Sequence, residues 1–134
     1  MVGSKKIYAY DMTTKKRVYE FETTTANARG LTFDPEILHL YVSTWGSNVE
    51  VFTYAGLKAK VINFPQVGLG DGIMMDKKYF LILADRKSNN VYVYNPYLVL
   101  YKTISGFVNP SDIAMGYQCG YLIVADFGRG GFFL

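Results

Sequence analysis

The chain has 134 residues and a mass of 15.1 kDa, which is the size of one domain built around a single hydrophobic core. Half of the residues are hydrophobic, 16% are aromatic and 19% are charged, a composition that excludes a disordered chain and a solvated coiled coil. The formal net charge of +3 suits solubility as well as nucleic-acid binding and excludes neither.

The predicted elements are all short strands, because aromatic and β-branched residues recur in short runs separated by turn residues. In chain order, a first pair of strands is predicted at 7–11 and 17–21. Two sets of four follow, at 30–34, 40–44, 49–53 and 59–63, and at 72–76, 81–85, 91–95 and 101–105. A last pair spans 112–116 and 122–126, and no helical period competes with this assignment.

These strands repeat at a nearly constant interval. Corresponding strands begin 42 residues apart at Ile7, Val49 and Val91, and 41 residues apart at Leu40, Leu81 and Leu122. Four strands in a unit of this length are typical of one β-propeller blade. The second strand of each unit is almost continuously apolar, as expected for a strand covered on both faces by neighbouring blades. The sequence therefore predicts an all-β fold of four-stranded antiparallel blades.

Three segments resemble a known family. The sequences LYVSTWGSNVEVF, FLILADRKSNNVYVY and YLIVADFGRGGFFL resemble the NHL repeat and are also similar to surface-layer-type propellers with six or seven blades. In each segment, an apolar strand ends in Ala-Asp or a polar pair. A turn with Gly or Asn follows, and then a strand in which apolar residues alternate with others. The resemblance implies a propeller fold, but it implies no activity, because blades of this kind occur in proteins with unrelated functions.

The chain contains about three blades' worth of strands. We predict a single propeller array over 1–134, divided into a half-blade at 7–22, blades at 28–64 and 70–107, and a half-blade at 110–134. Closed propellers typically have 4 to 8 blades. Either two copies close a six-bladed ring, or the chain is a fragment of a longer propeller. In a ring, the segment 132–134 would compete with 7–11 for one strand position.

One face of such an array carries the turns between second and third strands and the turns that lead into first strands. The residues predicted there as a partner-binding surface are Trp45, Arg29, Arg86, Phe127 and Arg129. Arginine and large aromatic side chains dominate the binding energy of many protein interfaces. The alternative for Trp45 is packing over the edge of the adjacent blade. These residues favour a non-enzymatic scaffold, which either binds a protein or peptide or serves as an assembly module.

An enzyme is the first alternative. Some propellers of similar sequence are gluconolactonase-type hydrolases or amidating lyases that hold a divalent metal in the central channel. Oxygen ligands for such a metal are available at Asp71, Asp112, Asn27 and Asn109. The only histidine, His39, precedes a second strand and is expected on the opposite face, which leaves no general base. We predict no catalytic residue, metal or cofactor.

RNA binding is the second alternative, since the resemblance includes NHL propellers that bind RNA on a basic face. Phosphate binding requires clustered Lys and Arg. Here the basic clusters at 15–17 and 77–78 are predicted on the face opposite Arg86 and Lys87. Nucleic acid is therefore the less favoured partner, and the clusters at 15–17 and 77–78 are expected to solubilise turns.

Asp85 and Asp126 occupy matching strand ends, where an aspartate commonly accepts hydrogen bonds from turn amides. Cys119 is the only cysteine, so neither an intrachain disulfide nor a Cys/His zinc site is expected. The start of the chain is basic but lacks the apolar core of a signal peptide, and the longest apolar runs are far shorter than the ~20 residues of a membrane span. We expect a soluble, cytoplasmic protein without membrane contact.

Overall fold

The computed structural model describes residues 5–25, 27–116 and 120–128. This part of the chain contains strands and turns and no helix, so it has no helix that could cross a membrane. Its strands are β1 (Lys6–Tyr10), β2 (Arg17–Glu22), β3 (Ala28–Phe33), β4 (Leu40–Thr44), β5 (Asn48–Phe52), β6 (Lys58–Asn63), β7 (Gly70–Met75), β8 (Leu81–Asp85), β9 (Asn90–Tyr94), β10 (Leu100–Ile104), β11 (Pro110–Gly116) and β12 (Tyr121–Asp126).

The strands form four antiparallel sheets, each made of strands that are consecutive in sequence. Two sheets are complete, with the orders β3-β4-β5-β6 and β7-β8-β9-β10, and two are pairs, β1-β2 and β11-β12. Four-stranded sheets of consecutive strands are the blades of a propeller. The predicted all-β array of about three blades is therefore confirmed.

Hydrophobic side chains fill the spaces between successive sheets. The largest core lies between the two complete sheets, where Val49 and Val51 face Leu83 and Tyr94. A second core joins Ile7 of the first pair to the first complete sheet, and a third joins Ile113 of the last pair to the second complete sheet. Each sheet thus buries its apolar side chains only against its neighbours, as in other repeat arrays.

The first strand of each blade, β3, β7 and β11, lies on the inner side of the array, and β7 packs beside both others. Gly30 and Gly72 permit this close approach. A Cβ atom at Gly30 would lie 2.7 Å from the Asp71 carbonyl oxygen, and one at Gly72 would lie 2.7 Å from Asp112 Cα. Asp112, at the equivalent position of β11, carries a side chain where the first two blades have none.

All three inner strands have an irregular register near their start. The pairing shifts between Ala28 and Gly30 in β3, and corresponding shifts occur in β7 and β11. Arg29, Asp71 and Ser111 lie within these shifts. A bulge redirects side chains locally, so these three equivalent residues reach the end of the sheets at which the turns after β4, β8 and β12 also emerge.

Candidate functional site

Three residues occupy the same place in successive sheets, directly after the second strand. They are Trp45 after β4, Arg86 after β8 and Phe127 after β12. The backbone N–H of each donates to a carbonyl oxygen in the loop before its own blade: Trp45 to Asn27 at 3.0 Å, Arg86 to Leu69 at 3.1 Å, and Phe127 to Asn109 at 2.9 Å. This repeated hydrogen bond fixes the three side chains in a row on one face.

Asp71 joins two arginines from different sheets. Its Oδ1 lies 3.3 Å from Arg29 Nε and its Oδ2 lies 3.4 Å from Arg29 Nη2. The same Oδ2 lies 3.5 Å from Arg86 Nη1. Asp71 is buried, and a carboxylate removed from water requires such partners. The Asp71 backbone carbonyl also accepts a hydrogen bond from the Ser43 hydroxyl, which ties β7 to the preceding blade.

The two guanidinium groups stack on aromatic rings. Arg29 Cζ lies 4.4 Å from the centre of the Trp45 ring. Arg86 Cζ lies 5.4 Å from the centre of the Trp45 ring and 4.9 Å from that of the Phe127 ring. Arg86 Nε donates to Asn109 Oδ1 at 2.8 Å. Arg29, Trp45, Arg86 and Phe127 thus alternate along one line, which we call the Arg-aromatic row, with cation-π geometry at each step.

Asp85 holds the loops on both sides of Arg86. Its carboxylate accepts hydrogen bonds from the backbone N–H groups of Gly68 at 2.9 Å, Leu69 at 2.8 Å and Lys87 at 3.0 Å, and from the Ser88 hydroxyl at 2.7 Å. Burial raises the pKa of Asp85, but these hydrogen bonds together lower it more, and the net pKa lies below its ordinary value.

Asp126 holds the equivalent loops in the next blade. It accepts from the backbone N–H groups of Val108 at 3.0 Å, Asn109 at 2.7 Å and Gly128 at 3.2 Å, which lower its pKa. The predicted role of Asp85 and Asp126 as acceptors for turn amides is confirmed.

Glu50 is a buried anchor that the sequence pattern did not single out. It lies on β5 and accepts hydrogen bonds from the backbone N–H groups of Thr24 at 3.0 Å and Thr25 at 2.8 Å. Lys58 Nζ lies 3.1 Å from its Oε1. Burial raises the pKa of Glu50, and the bonds from Thr25, Thr24 and Lys58 outweigh burial, so the net pKa is lowered. A charged residue between Val49 and Val51 was the available signal.

A cavity of about 560 Å³ opens beside the Arg-aromatic row, against the inner strands. Its lining includes Arg29, Asp71, Arg86, Asp112 and Phe127. Its opposite charges and the Phe127 ring suit a polar ligand that also has apolar parts.

Three of the four residues proposed as oxygen ligands for a metal are engaged elsewhere. Asp71 pairs with both arginines, Asn109 accepts from Arg86, and Asp112 Oδ1 accepts from the backbone N–H of Ile113 at 2.9 Å. Among the described residues, no group of three His, Cys, Asp or Glu side chains could hold a metal ion. His39 lies at the start of β4, at the opposite end of that strand from Trp45.

Four of the five residues predicted for partner binding come together in the Arg-aromatic row. The fifth, Arg129, lies outside the described residues, as does Cys119. Trp45 is half-buried and contacts Arg86 of the next sheet, so it packs on the adjacent blade and still borders the open face. Lys77 and Lys78 lie in the turn between β7 and β8, at the opposite end of these strands from the row. The binding role of the row stays a prediction.

Comparison with known proteins shows the fold class. No family model and no curated protein matches the chain. Solved structures do match, and 262 of their chains resemble this one. One is the Kuenenia stuttgartiensis hydrazine synthase, a β-propeller-containing protein, with a TM-score of 0.77 and 15% sequence identity over 94% of this chain. The match spans 37% of that protein's chain. At this identity the similarity shows the β-propeller fold alone.

Proposed function

We propose that this chain is a non-enzymatic protein- or peptide-binding module built from NHL-like propeller blades, and that its partner docks on the Arg-aromatic row. The observation that carries the proposal is the alternation of Arg29, Trp45, Arg86 and Phe127 beside a cavity. Large aromatic and arginine side chains held in fixed positions bind at low entropic cost, because they lose little freedom when a partner arrives.

The charges of the row favour a partner with acceptor groups. Two guanidinium groups share one carboxylate, Asp71, while each guanidinium has five N–H donors. Donors that neither Asp71 nor Asn109 uses can bind a carboxylate or a backbone carbonyl of a peptide that enters the cavity. An extended segment with an acidic side chain and an apolar neighbour fits this chemistry.

The hydrolase or lyase alternative has less support from the side chains of the site. Asp71 and Asn109 are engaged by arginine, and a hard cation needs several converging oxygen ligands. The RNA alternative requires one continuous basic face, whereas the basic turn at Lys77 and Lys78 lies far along the strands from Arg86.

Selection of displayed random peptides against the full chain, followed by fluorescence titration, tests the proposal. Trp45 is the only tryptophan, so its emission reports directly on the row. We expect selected peptides to change that emission and to bind Arg86→Ala at least about tenfold more weakly, because both a charge and a stacking partner are lost. Lys78→Ala, in the opposite turn, is the matched control and should bind normally.

Two results would count against the proposal. One is a set of selected peptides that bind Arg86→Ala as tightly as the unmutated chain. The other is salt-sensitive RNA binding that is lost in Arg86→Ala, which would show that the Arg-aromatic row binds RNA instead of a peptide.

A further inference from the structure

The first and last sheets contain complementary halves of one blade. In the complete sheets, a first and a second strand are followed by a third and a fourth. Within residues 5–25, 27–116 and 120–128, the last sheet contains the first two, β11 and β12, and the first sheet contains the last two, β1 and β2. Among the described residues, β12 pairs with β11 alone and β1 with β2 alone, so each has one edge without a strand. Open edges of this kind are templates for pairing with another chain.

The first complete sheet has an apolar face that nothing covers in the described chain. Leu31 is 52% exposed and Phe33 is 50% exposed on β3, whereas Ile73 and Met75 at the same positions of β7 are 5% and 7% exposed. The inner strand of the preceding blade covers Ile73 and Met75. Leu31 and Phe33 form what we call the start face, and its natural cover is an inner strand like β11.

The last sheet also has an uncovered apolar face in the described chain, on the side that points away from the second complete sheet. Ile123 is 57% exposed on β12, whereas Ile82 at the same position of β8 is 3% exposed because the next sheet covers it. Ala114, on the neighbouring strand β11, is also exposed. Ile123 and Ala114 form what we call the end face, and its natural cover is an inner strand like β3.

We propose that a second copy of this chain covers both faces and closes a six-bladed ring, which goes beyond the peptide-binding role. The β12 strand of one copy pairs antiparallel with β1 of the other, completing the order β11-β12-β1-β2 across the two chains. The two copies bring four complete blades, this junction completes a fifth, and the symmetry-related junction completes the sixth. In the same step, the end face of each copy packs on the start face of the other.

The register of the new pair follows from the complete blade. Ala84 pairs with Val91 and Asp85 pairs with Asn90 in the β8–β9 ladder. The equivalent pairs across the junction are Ala125 with Ile7 and Asp126 with Lys6. This register brings an acidic strand end beside a basic strand start.

The two end segments also carry opposite net charge. Residues 5–25 contain five basic and three acidic side chains, while residues 110–128 contain two aspartates and no Lys or Arg. Complementary charge favours the encounter of the two ends and opposes pairing of two like ends. This polarity favours an end-to-start contact between two copies of the chain and fixes their relative orientation.

Asp112 sets the geometry of the junction. Gly30 and Gly72 allow adjacent inner strands to approach closely, and Asp112 replaces glycine at the junction position. The strands β11 and β3 must therefore lie farther apart across the junction than within a chain. By equivalence, Arg29 of the second copy lies nearest to Asp112, so the wider gap holds an opposite charge.

The solution mass of the full chain tests the ring directly. Size-exclusion chromatography with light scattering should give twice 15.1 kDa over a range of micromolar concentrations. A mass of one chain throughout that range would overturn the proposal, and so would larger open polymers, since the contact must close after two copies.

Substitutions on the two faces identify the junction. We expect Ile123→Asp to weaken the dimer at least about 100-fold, because each ring loses two buried isoleucines. Tyr97→Asp, in an exposed turn between β9 and β10, is the matched control and should leave the mass unchanged. Leu31→Asp should act like Ile123→Asp. Circular dichroism identifies any variant that fails to fold.

Mixing the two variants tests the polarity of the contact. Ile123→Asp has a damaged end face and Leu31→Asp a damaged start face, so a mixed pair retains one intact junction. The mixture should therefore form dimers that neither variant forms alone. Absence of rescue, with both variants folded, would show that the interface is not the end-to-start contact. Trp45→Ala should leave the mass unchanged, which separates this proposal from the peptide-binding role.

Discussion

Two strands of almost the same sequence have different environments in this molecule. The five residues of β8, 81–85, read LILAD, and the equivalent five of β12, 122–126, read LIVAD. All five residues of β8 are buried, while every residue of β12 is exposed or half-buried. The difference lies in the neighbours that the described residues provide: β8 has strands on both edges and sheets on both faces, whereas β12 has one strand and one sheet beside it. In a repeat array, burial is a property of position as well as of sequence.

The same comparison predicts where the array is most stable. Strands in the complete sheets should open only with the whole fold, while the end sheets should open locally at lower cost. Matched substitutions in β8 and β12 measure this difference, because the native residues are the same.

Replacing isoleucine by alanine at the two equivalent positions should give the largest contrast. Ile82→Ala should lower the free energy of unfolding by about 2–5 kcal/mol, since it leaves a cavity between two sheets. Ile123→Ala should lower it by less than about 1 kcal/mol in a single chain, because that side chain is already exposed. Urea unfolding at the lowest usable protein concentration measures both. An equal loss of unfolding free energy in the two variants would contradict the claim that β8 is buried more deeply than β12.

The two capping aspartates give a smaller contrast. Asp85→Asn should lower the free energy of unfolding by about 1–3 kcal/mol, because a buried acceptor of four hydrogen bonds loses its charge. Asp126→Asn should have a smaller effect, since its carboxylate is exposed to water. Thermal unfolding of both variants at pH 7 provides the measurement, and a larger loss in Asp126→Asn would be the contrary result.

Acid should destabilise the chain through its buried carboxylates. The pKa values of Glu50 and Asp85 are lowered in the folded chain, so as the pH falls the unfolded chain takes up protons first. Their stabilising contribution is complete above the ordinary carboxyl pKa of about 4 and is lost as the pH falls through the lower folded values. Urea midpoints at pH 7 and pH 3 should differ less for Asp85→Asn than for the unmutated chain.

The smallest expected contrast concerns two stacked arginines. Arg86→Lys should cost about 1 kcal/mol of folding stability, since lysine cannot both stack between Trp45 and Phe127 and pair with Asp71. Arg17 stacks on Tyr8 in the first sheet, with Cζ 4.7 Å from the ring centre, but it is exposed. Arg17→Lys should therefore change stability hardly at all. Chemical unfolding of the two variants side by side is the check.

Much of the fold could be predicted from the repeat, because a recurring unit fixes strand order and turn positions together. The inner strands begin earlier than predicted, at Ala28, Gly70 and Pro110, since a bulge lets the residues before Gly30, Gly72 and Asp112 join the ladder. No sequence pattern marks such a shift, which depends on the partner strand.

The candidate site could be predicted only partly. The repeat placed Trp45, Arg86 and Phe127 on one face, because they follow equivalent strands. It did not show that Asp71 pairs with both Arg29 and Arg86, since that contact depends on distances between separate blades. Glu50 was missed for the same reason: its partners at 24–25 lie in a loop whose path the sequence does not reveal.

Hydrogen exchange of β8 and β12 at low and high protein concentration tests the central claim most directly, namely that neighbouring sheets determine the burial and stability of each strand. The amides of β8 should be protected at both concentrations. Those of β12 should exchange quickly in the dilute chain and approach the protection of β8 as a second copy covers the end face. Protection of β12 equal to that of β8 in dilute, single chains would contradict the account.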